Sequence, residues 1–150
     1  MAKTYAFTGT DGSSLDADFT ILQGALQILN NKAANNRVID STGDFAFASV
    51  ATVEGAADDT VTVTITGMTD KTSGIQFRVQ DEDNNWQVGI NGAGLLRILS
   101  TASGSSAVRA SYTIPSFDAS NDYTIETTFV GQAITVKLDG VDVLSYTHGT

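Results

Sequence analysis

The chain has no cysteine, which excludes disulfides, thiolate metal sites and thiol nucleophiles together. Stability must therefore come from burial and hydrogen bonding. Proline occurs once, at Pro115, histidine once, at His148, and glutamate only at positions 54, 82 and 126. Basic residues are also scarce: 8 Lys and Arg stand against 17 Asp and Glu, a formal net charge of -9. That field repels phosphate backbones, and no local Lys/Arg cluster overrides it, so nucleic acid is excluded as a partner. No apolar run approaches the ~20 residues a helix needs to cross a bilayer, so no membrane partner is expected. The opening Met1-Ala2-Lys3-Thr4-Tyr5 lacks the apolar stretch of a secretory signal, which leads us to expect synthesis in a cytoplasm.

What is present favours strands. A length of 150 residues with 41% hydrophobic content suits one folded domain over residues 1–150, and its apolar residues are largely β-branched or aromatic. Period-2 alternation recurs at Val61, Val63 and Ile65, at Ile75, Phe77 and Val79, and at Trp86, Val88 and Ile90, the pattern of strands with one buried face. Further strands are expected at 95–99, 108–112, 123–130, 134–138 and 141–146, separated by turn residues. Asp139-Gly140 supplies the positive φ angles of a type I′ hairpin, and a second hairpin is expected at Val130-Gly131-Gln132. Gly24 and Asn30-Asn31 favour two strands over a helix between 19 and 29, and Phe45 to Val53 alternates as another. The stretches 89–94 and 101–106 read as loops. The expected inward set is Val63, Ile65, Ile75, Phe77, Val79, Val88, Ile125, Phe129, Ile134, Val136 and Leu138. So many short strands predict an all-β, two-sheet antiparallel sandwich, with residues 1–18 as an extended arm.

The run Gly74-Ile75-Gln76-Phe77-Arg78-Val79-Gln80-Asp81-Glu82-Asp83-Asn84-Asn85-Trp86, followed by Leu95-Leu96-Arg97-Ile98 and by Ile134-Thr135-Val136 with Leu138-Asp139-Gly140, resembles the concanavalin A-like lectin/glucanase superfamily in its divergent laminin G-like form. The resemblance spans residues 19–146, and an early tryptophan usual in such domains is missing. It implies a concanavalin A-like jelly roll.

Each function open to that superfamily makes a demand on residues. Its glucanases carry paired carboxylates spaced along one strand, whereas Glu54, Glu82 and Glu126 each lack a second carboxylate two positions on. His148 is the third residue from the end of the sequence, a poor place for a catalytic base. The chain is therefore expected not to be an enzyme. Laminin G-like domains hold calcium at rim loops, which makes Asp81 and Asp83 the candidate carboxylate ligands for Ca²⁺; the competing reading is that acidic and amide residues simply suit a hairpin loop. Carbohydrate binding needs an aromatic platform beside polar groups, and Arg78, Asn84, Asn85, Trp86 and Arg97 are the candidates. Against this, Trp86 is in phase with Val88 and Ile90 and so reads as a core residue, while Arg78 is in phase with Gln76 and Gln80, on a face that Arg97 and Lys137 are expected to share.

Three functions follow. The first is a non-catalytic structural or adhesion protein on a bacteriophage particle, made in the host cytoplasm, displayed on the virion surface, and associated with other virion proteins or with itself as a homo-oligomer, with cell-surface glycan as a further ligand. The second is a secreted, extracellular carbohydrate-binding module. The third is a degenerate glycosidase-like domain. Fold alone does not choose among them.

Overall fold

The computed structural model describes residues 20–23, 26–29, 32–35, 50–52, 58–65, 72–81 and 83–149, with only the backbone described before residue 58. The arm expected at 1–18 lies outside the described residues, as do 45–49 and 53 of the strand expected over 45–53, of which 50–52 is a strand. Among those described are twelve strands and no helix. In chain order they are β1 (Thr20–Gln23), β2 (Leu26–Leu29), β3 (Lys32–Asn35), β4 (Val50–Thr52), β5 (Asp59–Ile65), β6 (Ser73–Asp81), β7 (Asn84–Ile90), β8 (Leu95–Ala102), β9 (Ser105–Thr113), β10 (Tyr123–Val130), β11 (Ala133–Leu138) and β12 (Val141–Thr147).

Two compact units divide these strands. In the first, β1 pairs antiparallel with β4, and β2 with β3 in a hairpin. The strands expected on either side of Gly24 are thus present.

The second unit is an antiparallel sandwich of two four-stranded sheets, ordered β12-β11-β10-β5 and β6-β7-β8-β9. The chain leaves the first sheet after β5, completes the second as a meander, and returns so that β10 pairs with β5. Edges meet edges, with β12 beside β9 and β5 beside β6. Hairpin chemistry sets the registers. Asp139 and Gly140 take φ of 49° and 82° between the partners Leu138 and Val141, the type I′ turn expected for Asp-Gly. Gly131, at φ 53°, turns β10 into β11 with Val130 opposite Ala133.

One expected loop is a strand pair. Residues 101–106 continue β8 into β9 through Ser103 and Gly104, at φ 49° and 75°, with Ala102 opposite Ser105. Thr101 and Ser106 share a hydroxyl hydrogen bond of 2.9 Å across the pair. Ser/Gly composition alone suggested mobility, but two adjacent left-handed residues make a tight turn.

The core lies between the two sheets. Ile65, Phe77, Val88, Ile125, Phe129, Ile134, Val136 and Leu138 are buried in one cluster, with Val63 and Ile75 packed against it. Val79 was expected to face inward and is instead half-buried outside that cluster. The reason is local. Arg78 adopts φ 49°, and the ladder shifts between the pairs Phe77–Trp86 and Asp81–Asn84, so three residues of β6 oppose the single Asn85. A bulge of this kind breaks the period of two on which the expectation rested.

Candidate functional site

The residues singled out for sugar contact occupy the β6-β7-β8-β9 sheet and its rim, and strand alternation divides them. On β7, Trp86, Val88 and Ile90 point to the core, which puts Asn85 and Gln87 on the opposite, outer face. Across the ladder, Arg97 pairs with Gly89 and Leu99 with Gln87, so Arg97 shares that outer face. Gln76, opposite Gln87 on β6, extends the row. Asn85, Gln87 and Arg97 thus form a polar row, while Trp86 lies on the other side of the same sheet.

The row is unusual for an outer face because it is largely withdrawn from solvent: Asn85 is 3% and Gln87 4% exposed, and Arg97 is half-buried. Gln87 Nε2 donates to Asn85 Oδ1 at 2.9 Å. The other amide atom, Gln87 Oε1, is buried and accepts no hydrogen bond from any described residue. A buried acceptor without a donor costs about 1 to 3 kcal/mol, so the row holds an unmet demand for a donor. Gln87 was not among the residues picked from the sequence. Its alternation with Asn85 placed it on the polar face, but only the tertiary structure shows that this face is covered.

Arg78 leaves the row. The bulge places its guanidinium carbon 5.5 Å above the ring centroid of Phe129 on β10, within the reach of a cation–π contact, and its Nη2 lies 3.6 Å from Asp58 Oδ1. Asp58 Oδ1 also accepts the Gly131 backbone N–H at 2.8 Å, which links the bulge of β6 to the β10–β11 turn. Lys137, expected on one face with Arg78 and Arg97, is on the other sheet, where Nζ donates to Glu126 Oε1 at 2.8 Å. That contact raises the Lys137 pKa, the hydrogen bond first and the Glu126 charge second.

At the β6–β7 tip, Asp81 Oδ1 accepts the backbone N–H of Asp83 at 2.9 Å and the Asn84 amide at 2.8 Å, and Oδ2 accepts the same amide at 3.1 Å. Asn84 Oδ1 in turn accepts the Ser103 N–H at 3.1 Å, and the Gly104 N–H donates to the Asp83 carbonyl at 3.1 Å. Asn84, held by Asp81, and the Asp83 carbonyl therefore bind this hairpin to the β8–β9 turn. Among the described residues, no three His, Cys, Asp or Glu side chains gather closely enough to hold a metal ion. Asp81 thus caps the turn backbone, as the hairpin-loop reading expects.

Trp86 packs against the core cluster and meets two rings from the end of β12. Tyr146 lies 5.8 Å away, tilted by 40°, and His148 lies 5.5 Å away, tilted by 42°. Neither neighbour was linked to Trp86 in the sequence, since 60 or so residues separate them.

The sequence matches no family model and no curated protein. A solved structure does match. The chain resembles a carbohydrate-binding module in fold. That module, CBM66 from Bacillus subtilis, superposes with a TM-score of 0.74 at 18% sequence identity, over 94% of this chain and 84% of the module. The likeness bears out the β-sandwich jelly roll and agrees with the concanavalin A-like fold expected from the sequence.

Proposed function

We propose that this chain is a non-catalytic carbohydrate-binding protein. The observation that supports the reading best is its likeness, over 94% of its length, to a carbohydrate-binding module. That coverage also supports residues 1–150 working as one module. Within the sandwich, the half-buried Gln76 and Arg97 at the border of the polar row are the side chains we assign to sugar hydroxyls, with the buried Asn85 and Gln87 behind them. Gln76 offers both an amide oxygen and an amide N–H, and the Arg97 guanidinium offers donors for ring or hydroxyl oxygens. The test is a glycan array followed by calorimetry on the glycans retained, with Gln76→Ala and Arg97→Ala as variants. Binding that both variants weaken is expected; retention of no glycan at all would sink the reading.

A second reading, a structural protein of a bacteriophage particle, draws support from the outer face of the β12-β11-β10-β5 sheet. There Thr60, Thr62, Thr64, Thr135, Ser145 and Thr147 are exposed, and Thr60 and Thr128 share a hydroxyl hydrogen bond of 2.8 Å. A hydroxyl-rich face of this kind suits a protein displayed on a particle surface. Deleting residues 1–18 is expected to prevent incorporation into particles while leaving the sandwich folded. Full occupancy of the truncated protein on particles would count against this reading.

A further inference from the structure

The only tryptophan of the chain meets both Tyr146 and the only histidine, His148, and none of the three rings is fully buried. Val88 and Ile90, which share Trp86's face of β7, are both 0% exposed, so the face runs from a sealed core at Ile90 to a partly open end at Trp86. The rings also carry their own positioning. Tyr146 is fixed opposite Ile134 in the β11–β12 ladder, and the backbone N–H of His148 donates to the Gln132 carbonyl at 3.1 Å, which holds His148 just beyond the end of β12. Half-exposed aromatic rings with polar tips present an apolar body for stacking together with an indole N–H, a phenol and imidazole nitrogens for hydrogen bonding.

We propose that Trp86, Tyr146 and His148 form a ring-stacking subsite that takes a sugar ring by its apolar C–H face. The inference rests on the carbohydrate-binding reading, but its location is separate from the polar row, because Trp86 and Arg97 lie on opposite faces of one sheet. His148 supplies hydrogen-bonding nitrogens beside Trp86; Tyr146 supplies a second ring and a phenol.

Trp86 is the sole tryptophan, so its fluorescence reports this subsite alone. The experiment titrates the intact protein with cello-, xylo-, malto- and galacto-oligosaccharides, following Trp emission and, in parallel, calorimetric heat, for the natural chain and for His148→Ala, Tyr146→Leu and Trp86→Phe, with thermal melts as a check on folding. His148 lies past the last strand, so His148→Ala tests the subsite even where Tyr146→Leu disturbs the core. We expect a saturable change in emission at the calorimetric Kd, a Kd raised about tenfold in His148→Ala and Tyr146→Leu, and a smaller loss in Trp86→Phe, which keeps a ring. Calorimetric binding with silent Trp emission and an unchanged Kd in His148→Ala would overturn this subsite while leaving the carbohydrate-binding reading in place. Absence of heat with every oligosaccharide, combined with an empty glycan array, would overturn both.

Discussion

Phe77 and Phe129 stack with their ring centroids 4.6 Å apart and their planes 9° from parallel, a contact that joins β6 of one sheet to β10 of the other. Phe129 also carries Arg78 over its ring. Because the two rings are 5% and 4% exposed, truncating either to Ala leaves a cavity that the surrounding strands fill only in part. Phe77→Ala and Phe129→Ala are each expected to cost roughly 3 to 5 kcal/mol in chemical denaturation. Their double mutant should cost less than the sum, since the two side chains share one contact. Strict additivity would show that the stack contributes nothing beyond separate burial.

Thr127 presents the opposite case, a polar atom where none is needed. It is 0% exposed, faces the core between Ile125 and Phe129, and its hydroxyl has no hydrogen-bond partner among the described residues. Its ladder partners, Val136 and Val61, offer no side-chain acceptor. Replacing the hydroxyl with a methyl removes the desolvation cost at nearly constant shape, so Thr127→Val is expected to stabilise the fold by about 1 kcal/mol. A lower denaturation midpoint for this variant would show that the hydroxyl has a partner or a role in the folded state.

Asp118 gives a pH dependence with a definite sign. Its Oδ1 accepts the Ser120 backbone N–H at 2.9 Å and the Ser120 hydroxyl at 2.7 Å, and these bonds, the backbone one first, hold the carboxyl below the usual carboxylate range. A folded-state pKa below the unfolded one contributes stability at pH values above about 4, and that contribution is lost as pH falls through the folded value. Asp118→Ala is therefore expected to be less stable than the natural chain at neutral pH, with the gap closing as pH falls below the usual carboxylate range. A gap that does not change with pH would remove the carboxylate from the explanation.

The β6–β7 tip separates a capping role from a metal role. Because Asp81 is hydrogen-bonded to Asp83 and Asn84, Asp81→Ala is expected to lower the melting temperature equally in calcium and in chelator. If saturating Ca²⁺ raised the melting temperature of the natural chain but not that of the variant, linkage would assign Asp81 to a metal site.

The all-β class, most strand positions, the Asp139-Gly140 turn and nearly all of the inward set were legible in the residues alone. Each of these depends on a neighbour two to five positions away, through alternation or turn conformation. Only the tertiary structure decided what depends on a backbone irregularity or on a distant strand. The left-handed conformation of Arg78 moved its side chain onto Phe129 and put Val79 out of phase, and no propensity of arginine announces such a bulge. Likewise, alternation placed Asn85 and Arg97 on the face opposite Trp86, but the burial of Gln87 and the meeting of Trp86 with Tyr146 and His148 exist only because folding brings β12 to the end of β7. Pairing within a strand is written locally, whereas packing between sheets is a property of the assembled sandwich.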